Sequence, residues 1–180
     1  SLNINPFFND DPRSKPQRGT QWEAGLKGDL FNNRLQFTLS WFNITQTNIP
    51  TNNPFYDGTN ERFLFIGAAR SRGVDLDLTA RLAEGFNVIA NVSAFKYRIT
   101  DDPDPKLVGK RNANVAPRSA NLWASYEFHK GALSGLGLGS GITYASSRWG
   151  DDSNTYKLPA YTLWDAGLWY YVPVFGGSSL

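Results

Sequence analysis

Apolar and polar residues alternate along most of this chain, in stretches of roughly ten residues separated by segments rich in turn formers. A period of two gives a strand two chemically different faces, so the alternation predicts seven strands. The first, over 20–30, sets Trp22, Ala24 and Leu26 against Gln21, Glu23 and Lys27. The second, over 34–45, sets Leu35, Phe37, Leu39 and Trp41 against Gln36, Thr38 and Ser40. The third, over 62–82, is the cleanest: Val74, Leu76, Leu78, Ala80 and Leu82 oppose Asp75, Asp77, Thr79 and Arg81, with Gly73 read as a bulge. The fourth, over 86–100, offers Val88, Ala90, Val92 and Ala94 as its apolar face, which Ile89 and Phe95 interrupt. Strands over 118–129, 136–146 and 160–172 complete the set, the sixth with Gly137, Gly139 and Gly141 on its polar side.

The connections alternate in length. Asn32-Asn33, Glu84-Gly85 and the stretch through Gly131 and Ser134-Gly135 make short turns, while the stretches around 50–58, 101–117 and 147–158 are long. Residues 1–18, rich in Asn, Asp and Pro, read as a loop. Short turns at one end and long loops at the other mark an antiparallel barrel of a bacterial outer membrane. The expected fold class is all-β, an antiparallel transmembrane β-barrel segment.

With the long loops outside, the rings fall in two bands. Trp22, Trp41, Phe65, Tyr97, Tyr144, Tyr161 and Trp164 lie toward the outer ends. Phe31, Phe86, Tyr126, Phe128, Trp169, Tyr170 and Phe175 lie toward the short turns, with Phe37 between. Two such bands form the aromatic girdles of a barrel. The in-strand charges Glu23, Lys27, Asp75, Asp77, Arg81, Glu127 and Asp165 are assigned to a wet interior, held by ion pairs across strands. Against hydrocarbon a Lys or Arg at mid-depth costs roughly 2–4 kcal/mol. A lone bacterial barrel needs an even strand count of at least about 8. An open edge in lipid also leaves backbone groups unpaired. The chain moreover ends on Gly176-Gly177-Ser178-Ser179-Leu180, not on an aromatic-terminated strand. Residues 1–180 are therefore expected to be one partial barrel domain, a fragment.

Composition narrows the functions. A net charge of +2 and the lack of any Lys/Arg run give no support for a nucleic-acid partner. The absence of Cys removes disulfides, thiolate metal sites and a Cys nucleophile. His129 is the only histidine; it falls where a strand meets a short turn and is expected at an interface or in solvent, so neither an enzyme nor a resident cofactor is expected. Asp101, Asp102 and Asp104 are interleaved with prolines and read as a solvated loop rather than a calcium site.

Six segments in order resemble the TonB-dependent siderophore receptors. Gln21-Trp22-Glu23-Ala24-Gly25-Leu26-Lys27 resembles a "yEvGvK" strand, and Phe42-Asn43-Ile44-Thr45-Gln46-Thr47-Asn48-Ile49 a hairpin arm ending "tNi". Arg70-Ser71-Arg72-Gly73-Val74-Asp75-Leu76-Asp77 is similar to "RsrGvEle", with Asp where Glu is commoner. Val115-Ala116-Pro117-Arg118-Ser119-Ala120-Asn121-Leu122-Trp123, Leu133-Ser134-Gly135-Leu136-Gly137-Leu138-Gly139-Ser140-Gly141 and Tyr161-Thr162-Leu163-Trp164-Asp165-Ala166 match "vPkh...lW", "l.GltlGaG" and "YtvvDa". The spacing resembles the ferrichrome and hydroxamate-type receptors. The resemblance implies the late part of a barrel of about 22 strands filled by an N-terminal plug. It implies an outer membrane of a Gram-negative bacterium, a ferric siderophore as cargo with its iron already chelated, and TonB as a partner acting through a plug region outside these residues. Outer-loop Phe55, Tyr56 and Trp149, with Arg148, are the candidate ligand contacts, since ring-rich surfaces suit bulky chelates. A passive porin-type channel and a soluble β-barrel binding module share the alternation and remain as alternatives.

Overall fold

A computed structural model describes residues 16–59 and 63–172, with Ile66 described by its backbone alone. The expectations on residues 1–15, on Arg62, on Phe175 and on 176–180 lie outside the described residues. Seven long strands form one antiparallel sheet: β1 (Arg18–Leu30), β2 (Leu35–Asn52), β3 (Phe63–Ala83), β4 (Phe86–Asp101), β5 (Arg118–Glu127), β6 (Leu136–Ala145) and β9 (Tyr161–Tyr170). Each pairs with its neighbour in sequence, and β1 and β9 are the two edges. A two-residue ribbon, β7 (Arg148–Trp149) with β8 (Lys157–Leu158), stands in the last long loop.

The turns follow local chemistry. Phe31, Asn32 and Asn33 all take positive φ between β1 and β2. Asn tolerates this; Phe31 was not foreseen there. Gly85, at φ 78°, turns β3 into β4, and a Cβ there would strike the Glu127 carbonyl, so glycine is required twice over.

Register decides the faces, because partners across an antiparallel pair share a face. Leu39 faces Leu26 and Leu76; Val92 pairs with Leu76 and Ala120; Leu122 pairs with Ala90 and Ile142; Ile142 pairs with Trp164. One face is therefore apolar without a break across the whole sheet. These side chains have nothing packed on them: Trp22 is 70%, Leu168 74% and Trp164 80% exposed, and the buried apolar residues among those described are Ala69, Ala80 and Ala145. A soluble sandwich would close a second layer over that face; among the described residues none does so. Ser140 is a polar group on this face, and it is satisfied. Its hydroxyl accepts from Trp164 Nε1 and donates to the Asp165 carbonyl at 3.2 Å, as a group turned to hydrocarbon requires.

The opposite face carries Glu23, Lys27, Asp75, Asp77, Asn91, Asn121 and Asp165. The expected cross-strand ion pairs do not form among the described residues. Asp77 accepts from the Asn91 amide and Glu23 from Gln21 Nε2 at 2.9 Å, while His129 Nδ1 lies 3.9 Å from Glu127 at the short-turn end. Neutral amides suffice where water can reach the carboxylate.

The structure departs from the sequence reading in four further places. Gly73 is no bulge: register runs unbroken from Arg70 to Ala80 on both sides, and glycine is needed because a Cβ would strike Phe95 and the Ala94 carbonyl. The irregularities fall at Ala68/Ala69, Arg81/Ala83, Gln46/Ile49 and Ile49/Pro50. β2 continues to Asn52 through the last two of these, with Asn48 at positive φ in the first and Pro50 at the second, a bulge being where a strand tolerates proline. Finally Tyr97, Tyr161 and Trp169 have the expected heights but pair with Ser71, Ala145 and Gly137 on the polar face, so they are not girdle rings.

Trp169 and Trp123 instead fill the inner side of β6. A Cβ on Gly137 would collide with the Trp169 indole, and one on Gly139 or Gly141 with that of Trp123. The glycine run is thus the footprint of two rings lying across neighbouring strands. Gly139→Val in a full receptor carrying this chain is expected to lose about 1–3 kcal/mol of stability, as overpacking does, and to shift tryptophan emission. Unchanged denaturation and emission would show that the rings do not depend on the gap.

Candidate functional site

The long loops gather above the outer ends of the strands, and side chain to backbone bonds stitch two of them together. Asn154, at φ 57°, accepts from Arg111 N at 2.9 Å through Oδ1 and donates to the Arg111 carbonyl at 2.7 Å through Nδ2. Asp152 accepts from Ala113 N at 2.7 Å, and Asn114 N donates to the Trp149 carbonyl at 2.7 Å. The loop over 102–117 and the loop over 146–160 are therefore joined into one cap. Ser146 Oγ anchors its base by accepting from Arg118 N at 3.0 Å.

Beneath this cap, on the polar face, lies a cavity of about 560 Å³. Tyr97, Ile99 and Ala69 line its strand side, and Asp101, Asp102, Asp104 and Asp152 its loop side. No Lys or Arg is among its described lining residues. Asp102 accepts from Asp104 N at 2.9 Å and Asp104 from Lys106 N at 3.0 Å, so these carboxylates shape the loop as Asx turns. A concave, ring-bearing space of this kind can hold a ligand.

The four candidate contacts do not converge on it. Phe55 and Tyr56 sit in the turn after β2, which Asn53 shapes by accepting from Phe55 N at 2.9 Å through its side chain and from Tyr56 N at 3.2 Å through its carbonyl. They are 77% and 49% exposed, and neither lines the cavity. Arg148 and Trp149 are held in the β7–β8 ribbon. Arg148 Nε donates to Asn114 Oδ1 at 2.6 Å and its guanidinium lies 5.5 Å from the Tyr161 ring centre, while Lys157 Nζ sits 4.7 Å over the Trp149 ring. The ribbon, Asn114, Asp152 and Asn154 escaped sequence reasoning. The two-residue strands are too short for periodicity to register, and the Asn and Asp partners lie about 40 residues apart in sequence.

The family model described as TonB dependent receptor-like, beta-barrel matches residues 2–177. The chain is 35% identical over 167 residues to the ferrioxamine B receptor of Salmonella typhimurium, covering 92% of this chain and 23% of that protein. It is 35% identical over 156 residues to the ferrichrome outer membrane transporter/phage receptor of Escherichia coli, covering 86% of this chain and 20% of that one. Among solved structures, BauA, the ferric preacinetobactin receptor of Acinetobacter baumannii, superposes with a TM-score of 0.72 at 26% identity, covering 85% of this chain and 22% of that one. The chain thus spans about a fifth to a quarter of the length of these relatives. Six motifs in order, a sheet with one bare apolar face and a match over nearly the whole length agree: the chain belongs to the TonB-dependent receptor β-barrel family.

Proposed function

We propose that the chain forms part of the wall and outer-loop cap of an outer-membrane receptor for TonB-energised uptake of a ferric siderophore. The observation that carries this reading is the pairing of an unbroken apolar face with a capped interior cavity at the long-loop end, in a chain of this family. The apolar face holds the wall in the bilayer. The stitched loops present a surface to the outside, and the chelate enters with its iron already bound. TonB acts through a plug region outside these residues, so the energised step does not fall on this part of the wall. A passive channel would need no cap over its interior and does not account for membership of this family.

Phe55, Tyr56 and Trp149, with Arg148, are the proposed outer contacts for the chelate. In the full receptor, replacing all three rings by Ala is expected to weaken ferric-siderophore binding at least about tenfold, since each exposed ring contributes on the order of 0.5–1.5 kcal/mol at a contact. Quenching of intrinsic fluorescence on titration reads the affinity. An unchanged affinity would remove these residues from the site.

A further inference from the structure

A second cavity, of about 580 Å³, lies at the same end of the sheet but on the other face. Of its strand residues, Trp41, Val74 and Ala94 belong by register to the apolar face, and so do Arg72, which pairs with Lys96, and Arg118, which pairs with Ala94, while Gly73 and Phe95 between them belong to the other. Along β3 the apolar series Ala80, Leu78, Leu76, Val74 gives way at the next outward position to Arg72. That single step, about 7 Å along the strand, carries the surface from bilayer-facing aliphatics to cations. Arg111 joins from the loop above.

The charge is one-sided. No Asp or Glu is among the described lining residues, and among the described residues no carboxylate pairs with Arg72, Lys96, Arg111 or Arg118. Burial, together with the guanidinium groups of Arg98 and Arg118, pulls the Arg111 pKa below its usual range. Arg148, Trp149 and Lys157 of the ribbon also line the cavity, but their cations are engaged, Arg148 donating to Asn114 and Lys157 lying over the Trp149 ring; beyond the cavity, Arg70 donates to Asn43 Oδ1 at 2.7 Å and Arg98 to the Tyr97 carbonyl at 2.9 Å. Like charges gathered without counter-charge repel, and an anion seated among them removes that repulsion. The floor of Trp41, Val74 and Ala94 says what kind of anion. A free ion has no use for an apolar floor turned to the bilayer, whereas an amphiphile presents acyl chains to it and its headgroup to the cations.

We infer that this outward-facing basic cavity binds the phosphorylated headgroup of an outer-leaflet glycolipid, with Arg72, Lys96, Arg111 and Arg118 on the phosphate and Trp41, Val74 and Ala94 against the acyl chains. Guanidinium groups suit phosphate oxygens because their fork donates two parallel hydrogen bonds. Basic pockets at a membrane boundary recognise lipid headgroups by the same chemistry. The inference rests on the outer-membrane placement proposed above, and not on which chelate is carried.

The test uses the full receptor, purified in mild detergent and placed in nanodiscs containing a bis-phosphorylated, acylated glucosamine disaccharide, its dephosphorylated form, or phosphatidylglycerol. The wild-type receptor is expected to retain the phosphorylated glycolipid at least about tenfold better than either other lipid. The triple variant Arg72→Gln, Lys96→Gln, Arg118→Gln is expected to lose that preference while keeping its heat resistance and its ferric-siderophore affinity. Equal retention of the phosphorylated and dephosphorylated glycolipids by wild type would overturn the inference, whether or not the variant folds. So would equal retention of phosphatidylglycerol, full retention by a folded variant, or displacement of the glycolipid by millimolar inorganic phosphate. A wild-type receptor that holds the glycolipid but binds no ferric siderophore would strike the proposed cargo and leave this site standing.

Discussion

Refolded on its own in detergent micelles, the 180-residue chain is expected to give no heat-resistant band on unboiled gels and to be cleaved by trypsin at least about a hundredfold faster than the same residues inside a full receptor. The reason is the edges. β1 and β9 have no partner on their outer sides among the described residues. In an antiparallel strand every second residue points its N–H and C=O to each side. Edges of 13 and 10 residues therefore leave on the order of ten residues with both groups unpaired. Each unsatisfied group costs several kcal/mol in hydrocarbon. Even a few of them exceed the roughly 5–15 kcal/mol that holds a domain together. No second layer compensates, because the apolar face depends on lipid or detergent for cover. A compact, protease-resistant species formed by the chain alone would mean that the sheet seals itself, and the partial-barrel reading would fall.

Much of this architecture was legible because a barrel wall writes its environment directly into sequence. The strand faces of β3 and, apart from Trp123, of β5 follow from alternation, since bilayer and water set most of their side chains. The turn at Asn32-Asn33 was legible for a similar reason: a residue type tolerant of positive φ stands where positive φ is needed. What resisted was context. Ile89 and Phe95 looked like errors in the β4 pattern, yet they pair with Trp123 and Gly73. The inner face has its own packing, which a two-letter polar/apolar code cannot express. Trp169 carries no mark that separates a girdle ring from one laid across Gly137. The site was less legible still. Its frame is a set of bonds from Asn114, Asp152 and Asn154 to loop backbone far away in the chain. The two cavities differ in face and in sign only because register sends Arg72 outward and Tyr97 inward.

Two arginine substitutions one residue apart on β5 are expected to separate those faces in free energy. Leu122 lies on the apolar face between Ala90 and Ile142, and Asn121 on the polar face between Asn91 and Thr143. Both occupy the interior of the same strand, with neighbours on both sides, so β-propensity and ladder hydrogen bonding change alike. Leu122→Arg puts a guanidinium against the hydrocarbon at mid-height and is expected to cost about 2–4 kcal/mol. That is a fall of roughly 30- to 1,000-fold in the folding equilibrium. Asn121→Arg adds a charge to a wet surface already bearing Asp75 and Asp77 on the same face and is expected to stay within about 0.5 kcal/mol. The chain itself shows why height matters: the apolar face carries native arginines at 70 and 72, at the outer end, where headgroups and water take over from acyl chains. A mid-height arginine has no such outlet short of thinning the bilayer. Denaturant titration of the full receptor folded into lipid vesicles reads both values. Equal losses for the two variants, or a larger one for Asn121→Arg, would mean that the greasy side of this sheet does not meet lipid, and the membrane reading of the whole molecule would go with it.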